Sequence, residues 1–155
     1  DIREFKAITT VAASRKAIAN VITNISDYKN WYPDISESKI IKKISATEYY
    51  TYNVIDLPWP AADRDGVSKM TITRKGNRTI IKMQAVTDIK DEESGLVRIN
   101  KSYGFWLLET KGSKTKVHFQ YFARPEGSLP DWVINMFIVD NPFDTLTSLK
   151  EKVEL

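Results

Sequence analysis

The sequence predicts an α+β fold in which one bent antiparallel sheet is covered on its concave side by a C-terminal helix. Three observations carry that expectation. Apolar residues recur with a period of two from Ile35 to Arg124, they recur at helical spacing near both ends, and short turn signals cut the middle into consecutive strands. Helices flanking a run of strands belong to this class.

Taken in order, Glu4 to Val11 alternates as a strand, with Phe5, Ala7, Thr9 and Val11 sharing one side. Ser14 offers an N-cap to a helix carrying Ala17, Ile18, Val21, Ile22 and Ile25 on one face. A second short helix is expected from Ser26, stopped by Pro33 just beyond Trp31-Tyr32 because proline has no amide hydrogen to donate. Six strands follow: Glu37 to Ile44, Glu48 to Leu57, Arg64 to Arg74, Thr79 to Thr87, Leu96 to Glu109 and Lys114 to Ala123. The intervening turns, such as Lys75-Gly76-Asn77 and Lys111-Gly112-Ser113, are short, which implies an antiparallel meander and a sheet of about seven strands.

The run from Leu129 to Leu155 is too apolar at its start for an ordinary surface helix. Trp132, Val133, Ile134, Met136, Phe137, Ile138 and Val139 come almost unbroken, and Phe143, Leu146, Leu149 and Val153 resume at helical spacing. Asn141 is a good N-cap with Pro142 at the first helical position, so a kink or a fresh start is expected near Asp140. That divides a very apolar, gate-like first segment from an amphipathic second one.

At 155 residues the chain reads as one domain, residues 1–155, able to bury a sizeable core without staples. Its 23 basic and 20 acidic residues are scattered in small clusters, which argues against nucleic acid and leaves room for transient contact with an anionic membrane surface. The absence of cysteine excludes disulfides, thiol nucleophiles and thiolate metal sites. The single histidine, His118, falls on the outward side of its strand with no motif-bearing serine to activate, and no calcium-loop spacing is present. Gly104, Gly112 and Gly127 are isolated, so no phosphate-cradling loop is signalled. No catalytic residue, metal or cofactor is expected. No apolar run reaches the ~20 residues needed to span a bilayer. A soluble monomer is expected, and because the chain begins at Asp1 rather than Met its compartment stays open between cytoplasmic and exported after loss of a leader.

Two stretches are unusual enough to carry a resemblance. They are Asp56-Leu57-Pro58-Trp59-Pro60-Ala61-Ala62-Asp63-Arg64-Asp65, and Gly127-Ser128-Leu129-Pro130-Asp131-Trp132 leading to Val139-Asp140-Asn141-Pro142-Phe143-Asp144-Thr145-Leu146. Supporting pieces are Arg3-Glu4-Phe5-Lys6-Ala7, Tyr28, Trp31-Tyr32-Pro33, Val97-Arg98 and Gly104-Phe105-Trp106-Leu107-Leu108. In order, and over essentially the whole chain, these resemble the START domain, the steroidogenic acute regulatory protein-related lipid-transfer family, in a small bacterial-type form. The resemblance implies a helix-grip fold with a tunnel between the curved sheet and the C-terminal helix. It implies as partner one hydrophobic small molecule: a lipid, a fatty acid or something sterol-like. The chain departs from the family's pattern at Arg124-Pro125-Glu126-Gly127, where Asp-Pro-x-Gly is frequent. It departs again at Met70, where some sterol-binding members carry a basic residue, so a sterol in particular is not implied.

Alternation assigns the walls of the grip. Met70 and Ile72, then Ile81, Met83 and Ala85, then Val117, Phe119 and Tyr121 look inward. Tyr49, Thr51, Asn53 and Ile55 are read as inward because the opposite face of that strand ends in Asp56. Thr51 and Asn53 are then polar groups in an apolar wall, needing each other, water or a ligand's polar end as partners. An interior Arg64 must be paired, and reads first as a salt bridge fixing the rigid Pro58-Trp59-Pro60 corner. Trp106 and Trp132 read first as packing and second as pocket wall. The candidate cavity set is Tyr49, Thr51, Asn53, Arg64, Met70, Ile72, Met83, Trp106, Phe119, Tyr121, Trp132, Met136 and Phe143, with ligand access past the loops near Asp63 and Glu126. The expected function is non-enzymatic binding or transport of a hydrophobic molecule. Its rivals are a polyketide cyclase/aromatase-like enzyme on the same fold, using Tyr49, Asn53 or Arg64, and a closed, ligand-free interaction domain.

Overall fold

In the computed structural model, which describes residues 3–124, 126–136 and 141–154, the first strand β1 (Arg3–Val11) pairs antiparallel with the last, β8 (Lys114–Ala123). Between them come α1 (Arg15–Thr23), a 3-10 segment (Ile25–Asn30), β2 (Ile35–Ser45), β3 (Glu48–Ile55), β4 (Arg64–Lys75), β5 (Arg78–Ala85), β6 (Val97–Arg98) and β7 (Ser102–Lys111). Two helices follow β8, namely α2 (Asp131–Asn135) and α3 (Asn141–Val153). The strands form one sheet in the order β1-β8-β7-β5-β4-β3-β2, with β6 attached to β4. This open, largely antiparallel sheet with helices on one face is the α+β helix-grip architecture.

Ser14 caps α1 as its side chain accepts the Ala17 amide at 3.1 Å, satisfying a donor the helix cannot. The helix buries Ile18, Ala19 and Ile22 against the sheet. The 3-10 segment adds Ile25 and Tyr28, and Trp31 follows at its end. Opposite them stand Met70, Ile72, Ile81, Leu108, Val117 and the parallel stack of Trp106 on Phe119, with ring centroids 3.8 Å apart at 6°.

One expected strand is two. Leu96 to Glu109 does not run straight; β6 pairs parallel with the start of β4, Arg64 facing Val97 and Asp65 facing Arg98, before β7 returns to β5. The physical reason is an unfilled edge. β5 ends at Ala85, opposite Ser68, so the amides and carbonyls at the beginning of β4 would lack partners on that side. The Val97 and Ile99 amides supply them, donating to the carbonyls of Asp63 at 3.0 Å and Asp65 at 2.8 Å.

The outer face of β3 is buried as well. Tyr52, Val54 and Val67 form a second cluster under Ile41, Val86 and Leu96. Tyr52 donates to Asp65 Oδ2 at 2.7 Å, and Arg98 meets both Asp65 oxygens, at 2.8 and 3.1 Å.

At the C-terminal end the described residues of the apolar run fall in α2 and α3. The expected break near Asp140, together with Phe137, Ile138 and Val139, lies outside the described residues. Thr145, Leu146 and Leu149 are the buried stripe of α3, whereas Phe143 is 70% exposed. Each three-residue step drifts about 60° around the helix at 100° per residue, so Phe143, two steps from Leu149, sits about 120° away and leaves the buried stripe. Among the described residues no helix is long and apolar enough to cross a membrane.

Candidate functional site

A cavity of about 130 Å³ lies between the sheet and the segment from Ile25 to Ile35. Strand parity builds its walls. β3 contributes Thr51, Asn53 and Ile55; β4 contributes Gly66, Ser68 and Met70; β5 contributes Met83; β8 contributes Tyr121 and Ala123. Glu4, Phe5, Ile99 and Ser102 close one side, and Tyr28, Tyr32 and Pro33 form much of the roof. Among the described residues α3 adds Asn141 alone.

The phenols of the cavity wall stay neutral. Burial pushes the phenols of Tyr28, Tyr32 and Tyr121 above the ordinary tyrosine range, Tyr32 well above it, while a hydrogen bond with Ser102 partly offsets the rise at Tyr121. Tyr28 donates to the carbonyl of Ile22. Thr51 Oγ1 donates to the carbonyl of Ser68 at 3.4 Å, so its hydroxyl is accounted for by backbone. Asn53 is different. Its Oδ1 is buried in the wall without a hydrogen-bond partner among the described residues, an arrangement that costs free energy until an acceptor-seeking group arrives.

Of the residues singled out from the sequence, Thr51, Asn53, Met70, Met83 and Tyr121 line this cavity. Ile72, Trp106 and Phe119 lie one layer deeper and are 6% exposed or less, so they form a packed floor rather than wall. Tyr49 points its hydroxyl to the carbonyl of Ala46 at 2.9 Å, outside the lining. Trp132 is 51% exposed, and neither it nor Met136 nor Phe143 lines the cavity. Buried Arg64 also stands outside it, and what it does is tie two loops: Nη2 donates to the carbonyl of Glu126 at 2.8 Å and Nη1 to that of Ala62. One residue on, Asp65 forms a buried ion pair with Arg98.

Several wall residues escaped the sequence reading. Ser68 and Gly66 share the parity of Met70, so the alternation already in hand extends to them. Phe5 shares the face of Val11 in the same way. Tyr28, Tyr32 and Pro33 carry no periodic signal, because a 3-10 segment and its exit roof the cavity. Among the described residues no cluster of His, Asp and Glu could hold a metal.

A model of the START domain matches residues 2–150. An uncharacterized protein of Pseudomonas aeruginosa is 32% identical over 154 residues, covering 98% of this chain and 76% of that protein. The phosphatidylcholine transfer protein of Bos taurus is 26% identical over 124 residues, and the match covers 76% of this chain but only 57% of that relative's length. Among solved structures, a STAR-related lipid transfer protein fragment from Xanthomonas axonopodis superposes with a TM-score of 0.89 at 31% identity, covering 98% of this chain and 86% of that one. The Zhui aromatase/cyclase of a Streptomyces species shares the fold alone, with a TM-score of 0.71 at 13% identity over 99% of this chain and 94% of its own.

Proposed function

Because the chain belongs to the START domain family and holds an apolar internal cavity with one orphaned polar atom, we propose that it binds and carries a single hydrophobic small molecule without covalent chemistry. The observation that carries this reading is the cavity wall itself. Its aromatic and aliphatic side chains supply burial, at ~25 cal/mol per Å² of apolar surface, and Asn53 Oδ1 waits for a donor that would orient the ligand. A lipid hydroxyl, amide or bound water meets that need. Of the groups an enzyme reading would use, Tyr49 and Arg64 bond to backbone carbonyls away from the cavity, which favours binding over turnover.

The space is small for the task. Pockets for drug-sized molecules run to ~300–1,000 Å³, so loading requires the walls to part. The Arg64 tie between the β3–β4 loop and the approach to α2 is the place where they can do so, next to the loops expected to admit the ligand. Trp59, Trp132 and Phe143, 90%, 51% and 70% exposed, flank that tie in sequence and supply apolar surface for transient contact with a membrane.

Native mass spectrometry of the purified chain, with solvent extraction of the denatured protein, tests the reading. A copurifying lipid, or stoichiometric uptake from vesicles, is the expected result. A protein that is repeatedly empty and takes up no fatty acid, phospholipid or sterol overturns it.

A further inference from the structure

The concave face carries different chemistry at its two ends. Along β4 the inward positions run Met70, Ile72, Arg74, and the facing positions of β5 run Met83, Ile81, Thr79. The first pair walls the apolar cavity, the second is packed core, and the third opens into a separate basin of about 780 Å³. That basin lies between the β4–β5 and β7–β8 turns and the first turn of α1.

Five cations line it: Arg15, Lys16, Arg74, Lys75 and Lys114. Among the described residues no carboxylate does so, and none of the five is ion-paired. Arg15 reaches only the hydroxyl of Thr79, at 3.4 Å. Glu109, on the outward side of β7, is taken up by Arg78 at 2.9 Å and Lys111 at 3.1 Å. The placement of Arg15 and Lys16 is itself unfavourable, since the aligned peptide dipoles already make the start of a helix positive and α1 has no acid in its first turn. Cations gathered round a concave space repel one another, and an anion in that space relieves the repulsion. Thr110 and Ser113 add hydroxyl donors at the same rim.

We propose that this basin is a second binding site, distinct from the apolar cavity, for a compact anion bearing a phosphate group. Lysine and arginine donate charge-assisted hydrogen bonds to phosphate oxygens, and the basin holds enough of both to bind a dianion. The packed layer of Ile72, Ile81, Trp106 and Phe119 separates the two sites, so one can be occupied without the other. The phosphate can come from a soluble anion or from a phosphomonoester headgroup at a bilayer surface, and the two sources are separable.

Titration of the full chain with inorganic pyrophosphate tests the first source, and flotation with phosphatidylcholine vesicles with and without phosphatidic acid tests the second. Saturable binding in either arm is expected, with amide shifts confined to Gly76, Gly112 and the start of α1. Replacing Arg74→Gln with Lys114→Gln should weaken it about tenfold or more. The matched double variant Lys42→Gln with Lys43→Gln, which removes equal charge from exposed positions of β2, should leave it nearly unchanged. Silence in both arms, or equal losses in the two double variants, overturns the proposal.

Discussion

Asp65 receives the Arg98 guanidinium on both oxygens, Nε at 2.8 Å and Nη2 at 3.1 Å, across 33 residues of chain. The pair is almost wholly buried, and Arg98 also donates to the carbonyls of Lys90 and Asp91, at 2.8 and 3.0 Å. A charge pair thus fastens the segment that crosses the outer face of β3 and lets β6 complete the edge of β4.

Arg98→Met should therefore be severely destabilising, because it strands a buried carboxylate. A loss of about 3–5 kcal/mol is expected from urea unfolding. A loss below ~1 kcal/mol would show the crossover to be held by its apolar contacts instead.

The same pair sets an acid limb. Burial alone would raise the Asp65 carboxyl, but hydrogen bonds from Arg98 and Tyr52 and the Arg98 charge outweigh it and hold the group below the ordinary aspartate range. A folded-state value below the unfolded one contributes stability that is complete above the unfolded value, near ~4, and is lost as pH falls through the folded value. Unfolding free energy should accordingly drop in that acid window, and Asp65→Asn, though less stable at neutral pH, should show a shallower drop. Parallel slopes for the two proteins would place the acid sensitivity elsewhere.

Asn53→Leu should move stability and binding in opposite directions. Without ligand, removing the orphaned acceptor should raise stability by about 1 kcal/mol. Affinity for a lipid whose polar end donates to Asn53 should fall about tenfold. Thermal melts of delipidated protein and a lipid-uptake titration read the two effects, and a destabilised variant with unaltered uptake would remove Asn53 from the site.

Gly104 of β7 lies against Tyr121, a residue of the cavity wall. A Cβ there would come within 2.5 Å of Tyr121 Cδ2 and 2.9 Å of the Gln120 carbonyl oxygen. Gly104→Ala should cost about 1–3 kcal/mol through overpacking and displace Tyr121 into the cavity, lowering its capacity for ligand. Chemical unfolding and uptake assays check both parts.

The cavity was only partly legible because parity tells which way a side chain points and not how deep the layer is. Met70 and Ile72 share a face of β4, yet one lines the cavity and the other its floor. The same ambiguity put Phe119 among the wall positions and left Trp106 between packing and wall, and the two stack as packed core. Arg64 and Asp65 stood together as a charged pair in the sequence. That Asp65 would meet Arg98, and Arg64 the carbonyls of Ala62 and Glu126, depended on where distant segments landed, and no spacing encodes that.

What the sequence by itself determined was the class of the fold, the faces of β3, β4, β5 and β8, the cap at Ser14 and the family resemblance. All of these rest on local periodicity, capping chemistry or motif order, which act within a few residues. The tertiary structure decided the rest: the parallel β6 that fills an open edge, the 3-10 roof over the cavity, the outward turn of Phe143, and the gathering of Arg15, Arg74 and Lys114 at the far end. These depend on which backbone donors remain unpaired and which distant charges meet after folding, and only three-dimensional packing brings those groups together.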